Sequence, residues 1–446
     1  NFSSESRIKI TFRNDIFLNS NAPNLENMGN KYVGKGFGSF TGVKFNYINN
    51  YFSIAIEPYL LTNRNEYFVQ LDRETPGNLN DVRIYNNSPL TQLGIREGHL
   101  FFSYKNIGLG ISNENLWWGP SIHSSLTMTN NTTGFTHYRF GTLSEKRIKN
   151  IGINIQHIFS KLNKTKNNPY FTALLFSASY YSNPVIRIGF IRNFLSKKDI
   201  EYDNSFSAID AALLVFDNLL LDAKKENYPG EFPLTGDPWD QTLSGFISLD
   251  FQESNLRLYL ELGTNDHRQN WSDLRSHPDH AAASILGLRK YGLFNNKNFI
   301  TGIEYTNLIL SKTWKFRQTP NWYNKPEYDY SSYDGRRWAA HSGSDSDDLF
   351  IYFGYQTDEL MFIPSFNYER HGVLYNRPPE VKMEIRFDFR YKLENYMLNI
   401  YIEREWLEHA GFIENKWRTG NVIWVGVERD LTSIISDKLK FLNADG

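Results

Sequence analysis

The chain of 446 residues contains no cysteine. Disulfides, thiolate catalysis and cysteine-ligated metal centres are excluded with it. An excess of either charge is also missing, since 48 Lys and Arg face 49 Asp and Glu for a formal charge of −1. With both signs mixed along the chain, the balance argues against a general nucleic-acid binder and against a polybasic membrane-surface protein. Long oily runs are absent too. The longest comparable piece, AALLVF at 211 to 216, is far below the ~18 residues that a membrane-spanning helix requires. The chain opens on NFSSESRIKITF without a charged, apolar and small-residue leader pattern. If the protein is exported, this is expected to be the mature form after signal-peptide removal.

What is present is rings and alternation. Aromatic residues make up 16% of the chain, with 27 Tyr, 33 Phe and 10 Trp, although the mean hydropathy is only −0.50. The segment VKMEIRFDFRYK (381 to 392) puts Val381, Met383, Ile385, Phe387, Phe389 and Tyr391 on one face and Lys382, Glu384, Arg386, Asp388, Arg390 and Lys392 on the other. NLRLYLELG repeats the pattern, with Leu256, Leu258, Leu260 and Leu262 against Arg257, Tyr259 and Glu261. Such a period of two marks half-buried strands. Weaker versions run from RIKITFR (7 to 13) to NVIWVGVER (421 to 429), punctuated by turn signals such as Asn49-Asn50, Asn167-Asn168-Pro169 and Glu394-Asn395.

A propeller or double sandwich of this length would repeat at ~40 to 50 residues, and no such repeat is found. Sharp charged-versus-apolar alternation, aromatic residues at strand ends (Tyr47, Tyr180, Tyr181, Tyr391, Trp406) and loops of very unequal length favour the other solution. The expected fold is all-β: a closed antiparallel transmembrane β-barrel of roughly 16 to 18 strands, one domain over 1–446. Material to fill its lumen lies in 113–147, in 206–241 and in the long loop 314–348. Within 205–230, a candidate cap at Ser205 or Ser207, helical apolar spacing, Lys224-Lys225 and Pro229-Gly230 predict one helix of about four to five turns. The barrel is thus expected to be plugged by loops and a short helix. At the C-terminus the last strand either reaches Phe441 or ends earlier.

Two loops offer candidate ligand contacts. ENLWWGPS sets Trp117 and Trp118 before a Gly119-Pro120 turn, leading through Ser121 to a run of hydroxyl and amide residues that includes Asn130. The bland reading is packing of a turn or an interfacial belt; the sharper one is an aromatic face stacked on a sugar ring, with amides and hydroxyls bonding its hydroxyl groups. In the second loop Trp322, Tyr323 and Trp338 interleave with Asp334, Arg336 and Arg337, a composition suited to an acidic glycan clamped by paired guanidinium groups, although long exposed loops collect such residues anyway. His277, Asp279 and His280 lack the spacing of a metal site, and SGSDSDD (342 to 348) lacks the glycine and terminal Glu of a calcium loop. No nucleophile elbow, phosphate loop or dinucleotide fingerprint occurs. No enzyme activity, metal or cofactor is therefore expected.

LWWGPSIHSSL followed by NNTTGFTHYRF, together with TGDPWDQTLSGFISLDF (235 to 251) and, more loosely, ELGTNDHRQNWSDLRSHPDH (261 to 280), resembles the Wzi family of capsule assembly proteins. FRNDIFLNSNAPN near the start is similar to the Bacteroidetes-type branch of that family. The loop DGRRWAAHSGSDSDD departs from it, standing where relatives of the branch have a glycine-rich stretch. The resemblance implies an outer-membrane barrel with a blocked lumen, and a lectin-like role holding exported capsular or surface polysaccharide at the cell surface. Outer-membrane lipid would surround it, and other outer-membrane export components would be its protein partners. The alternative is a porin, or a scaffold subunit of a larger export or gliding complex.

Overall fold

The computed structural model describes residues 7–71, 73, 82, 84–86, 88–197, 206–216, 239–265, 275–312, 319–323 and 325–432. Nineteen strands form one antiparallel sheet. His137–Thr142 and Lys146–Ile148 both pair with Ile151–Lys161 and share one stave, so the wall has 18. The first strand, Arg7–Asn19, pairs with Gly36–Ile48 on one side and with the last, Arg418–Asp430, on the other. That second ladder closes the barrel and leaves no free edge. The last strand therefore ends at Asp430, ahead of Phe441, which lies outside the described residues.

The strands are inside out relative to a soluble protein. On Glu380–Leu393, Ile385 and Phe387 are 40% and 41% exposed, whereas Lys382 and Glu384 are 6% and 5% exposed. Leu256–Thr264 behaves alike, with Leu262 outward and Tyr259 and Glu261 buried. An apolar outer face belongs against lipid, and the polar alternates line the lumen. The two faces read from the sequence are thus confirmed.

Short turns at 49–51, 105–106, 181–184, 294–295 and 394–395 lie at the end that also holds Arg7 and Asp430. Tyr51, Tyr104, Tyr180, Tyr391 and Tyr396 are exposed around it, forming an aromatic girdle. The opposite end carries the long connections, among them 20–35, 64–89, 113–136, 308–345, 372–379 and 409–417. In barrels of this type short turns face the periplasm and long loops the exterior.

The helix differs from expectation. Ser207 caps it in a capping box with Asp210, but it covers only Ala208–Leu213 before tightening into a 3-10 turn at Leu214–Phe216; residues 217–238 lie outside the described residues. Leu214 and Val215 pack with Phe194, Trp239 and Leu174. The strand neighbours of Leu174, Ala173 and Leu175, point instead into the lumen core. Since successive side chains of a strand face opposite ways, this helix covers the outer wall. Among the described residues the plug is built from loops, one of which carries a 3-10 turn at Pro326–Tyr328 and a short hairpin of Ser332–Tyr333 with Arg336–Arg337.

Candidate functional site in the plugged lumen

Two loops meet inside the long-loop half of the barrel. The first, 113–136, turns inward after Ile107–Ser112, and Trp118 N donates to Met128 O while Ser125 Oγ donates to Trp118 O at 2.6 Å. Gly119 follows at φ +116°, a conformation that disfavours any side chain; a Cβ there would also come to 3.1 Å from Glu261 Oε2. Trp117 Nε1 donates to Ser121 O, closing the turn.

Beyond Pro120 the backbone wraps around one wall carboxylate. Glu304 accepts from Ile122 N at 2.7 Å, His123 N at 3.2 Å and Ser124 N at 2.7 Å, and from Tyr259 Oη at 2.6 Å. A buried carboxylate is tolerated when several donors replace its water. Gly287, opposite Tyr259 in the ladder, leaves room for that ring; a Cβ would sit 2.2 Å from it. The Trp-Trp-Gly-Pro block is thus a junction at which the chain leaves the wall and is anchored back to it.

The second loop packs onto the first. Thr129 N donates to Trp338 O, Asn131 Nδ2 to Arg337 O, Thr132 Oγ1 to Tyr333 O and Tyr323 Oη to Leu126 O. Trp118, Trp322, Tyr323 and Trp338 share one hydrophobic cluster with Phe135, Phe171 and Ile285. All four are buried, with Trp322 1% and Trp338 2% exposed. Arg336 and Arg337 are buried as well, and Arg337 lies over the Tyr323 ring. Burial lowers the pKa of each guanidinium to about 10 and raises that of the Tyr323 phenol.

The residues singled out in the sequence are therefore brought together, but their rings and guanidinium groups face protein. Stacking on a sugar is not open to Trp118, Trp322, Tyr323 or Trp338 in this arrangement, because the plug already covers their faces. Nor are Arg336 and Arg337 placed to clamp a ligand from solvent. Trp117 is half-buried, Asp334 pairs at the rim with Lys164 at 2.8 Å, and Asn130 is exposed with its carbonyl accepting from Gly29 N.

Sequence reading missed a charged cluster where the plug meets the wall. Loop 20–35 brings Glu26, the two plug loops bring His123 and His341, and the wall brings Asp348, Glu369, His371, Glu380, Lys382 and Glu384. Lys382 Nζ lies 3.0 Å from Glu369 and 3.2 Å from Glu384, and also contacts Glu26. Arg73 forks onto Glu380 with two bonds of 2.9 Å. Burial opposes charge on the His341 imidazole, yet Glu26, Asp348 and Glu369 prevail and raise its pKa to about 10. Burial likewise lowers Lys31 to about 8 against the pull of Asp15. The alternation at 381 to 392 was a signal that Lys382 and Glu384 face inward; their partners are far apart in sequence and left none.

The carboxylates of SDSDD diverge: Asp345 accepts from the backbone of Leu374 and Tyr375, Asp347 pairs with Arg370, and Asp348 enters the cluster. They do not converge on one ion, so this is no calcium loop. His277 and His280 are buried with their rings 4.9 Å apart, and residues 266–274 beside them lie outside the described residues.

Fold and lumen together define an outer-membrane-type β-barrel. No model of a known protein family matches the chain, and no curated protein matches it. Among solved structures it is similar to Wzi of Escherichia coli, an outer-membrane protein involved in group 1 capsule assembly and described as a carbohydrate-binding β-barrel. The TM-score is 0.60 at 11% identity, over 93% of this chain and 83% of that one. It is also similar to OccAB3 of Acinetobacter baumannii, with TM-score 0.47, 12% identity and 96% and 99% of the two chains covered. For OprD of Pseudomonas aeruginosa the values are 0.45, 8%, 96% and 94%. At such identities the likeness extends to the fold.

Proposed function

We propose that this protein is a non-conducting outer-membrane barrel that binds exported capsular or surface polysaccharide and holds it at the cell surface without cutting it. The observation that carries the proposal is the plug. Its aromatic core fills the long-loop half of the lumen, where a diffusion porin needs a channel. The fold likeness to a carbohydrate-binding barrel supports the same reading. The contact surface is then the outer side of the loop cap, where Tyr67 and Tyr375 are 63% and 55% exposed, and not the rings packed beneath it.

Two measurements on the purified barrel test this. In planar bilayers it should show no stable open state, and stepwise conductance would make it a porin. Polysaccharide released from the surface of the producing cells should bind the barrel and keep its chain length. No binding would remove the retention role, and shortened chains would make the protein an enzyme.

A further inference from the structure

Three donor atoms from three separate parts of the fold converge at the top of the charged cluster. His123 comes from the first plug loop, His341 from the second and Asp348 from the wall strand Ser346–Gln356. Their ligand atoms all lie within 4.8 Å of one another. Asp348 Oδ2 is 3.3 Å from His123 Nε2 and 3.3 Å from His341 Nε2. Both contacts are longer than an ordinary charge-assisted hydrogen bond, which closes to ~2.7–2.9 Å. They equal the spacing between neighbouring ligands of a tetrahedral ion, since bonds of ~2.0–2.1 Å at the tetrahedral angle place donors ~3.3–3.4 Å apart.

The surroundings point to a cation as well. Asp348 is 1% exposed, and neither of its oxygens, nor His123 Nε2, has a hydrogen-bond partner among the described residues. A buried carboxylate left so is costly unless positive charge joins it, here either a proton on the His341 ring or a bound ion that takes the proton's place. Glu26 and Glu369 each approach His341 Nε2 to 3.9 Å, and both also reach Lys382, as Glu384 does. The His123 ring is held flat against Phe350, at 4.1 Å and 1°, while its backbone N–H is fixed on Glu304. The neighbouring cavities, one bordered by Glu26 and His341 and one by Glu26 and His123, measure about 20 Å³ each. That is room for a water or an ion and too little for a sugar.

We propose that His123, His341 and Asp348 bind one divalent transition-metal ion of the zinc class, with Glu26 or a water completing the tetrahedron. Two imidazoles and a carboxylate favour such an ion over calcium or magnesium, which prefer all-oxygen shells. Because the ligands come from both plug loops and the wall, the ion would act as a clamp that locks the plug in place.

The test uses the intact folded barrel, stripped with EDTA and titrated with zinc chloride alone. One zinc per barrel by elemental analysis is expected, together with a higher temperature for loss of the folded band on heat-modifiability gels. His123→Ala and Asp348→Asn should weaken binding by more than the ~10- to 100-fold that loss of an outer-shell partner costs, and should remove the zinc-dependent rise. His99→Ala, near the short-turn half of the wall, should leave both intact. Should Asp348→Asn fail to fold, His123→Ala decides alone. Absence of stoichiometric zinc from the wild-type barrel, or unchanged binding in folded His123→Ala, would overturn the site.

Discussion

The two halves of the lumen are built on the same strands and reach opposite solutions. Along Arg7–Asn19, the inward residues Lys9, Thr11 and Arg13 near the short turns stay accessible, whereas Asp15, Phe17 and Asn19 near the long loops are buried. In the lower half a polar cavity of about 240 Å³ is bordered by Lys9, Arg13, Lys44, Glu57, Arg96 and Glu428. There, wall residues satisfy one another: Arg13 pairs with Glu428, Lys44 with Glu97 and Arg96 with Glu57. In the upper half the wall satisfies the plug, as Glu304 does for the backbone of 122–124. Charge next to water is cheap to keep, and charge sealed under a plug must be matched donor by donor.

The comparison can be tested by substitution in each half. The largest effect is expected from Trp338→Ala, which empties the centre of the plug beside Phe171. A loss of ~3–5 kcal/mol should appear as a lower temperature for the folded band on heat-modifiability gels, with conductance appearing in bilayers. If both readouts stayed at wild-type values, the plug core would not be what seals the lumen. Next comes Glu304→Ala, which removes the acceptor of three backbone N–H groups and the Tyr259 hydroxyl. At ~1–3 kcal/mol per stranded donor, with water entering part of the gap, the cost is about 3 kcal/mol by the same assay, and Glu304→Gln should recover about half of it. The smallest is Arg13→Ala in the wet half, where loss of the pair with Glu428 should cost under ~1 kcal/mol. An effect as large as that of Trp338→Ala would erase the distinction between the halves.

Much of the wall was legible in the sequence. The faces of 381 to 392 and of 255 to 263 were assigned correctly, and 18 staves fall within the expected 16 to 18. Trp117-Trp118-Gly119-Pro120 was legible as a ring pair before a turn, but what the turn was for was not. Its anchor, Glu304, stands about 180 residues away. The 322–338 loop misled for a physical reason. Tyr, Asp and Arg in a long loop look the same whether the loop spreads over the surface or folds back into a polar lumen. The 205–230 segment carries helical spacing, yet its described helix stops at Leu213, where Leu214 and Val215 turn onto the outer wall.

The chain's own pattern determined the barrel, because a period of two is local: each residue's face follows from its neighbour's, and lipid outside demands the apolar one. Only the tertiary structure decided which loops turn inward and which charges meet. The interior of the barrel is polar like the water beyond it, so polarity along a loop carries no direction. Closing the ladder between Arg7–Asn19 and Arg418–Asp430 creates the lumen that makes inward and outward different places. With that lumen in place, the two tryptophan-bearing loops became a plug, and residues as distant as His123, His341 and Asp348 came within reach of one ion.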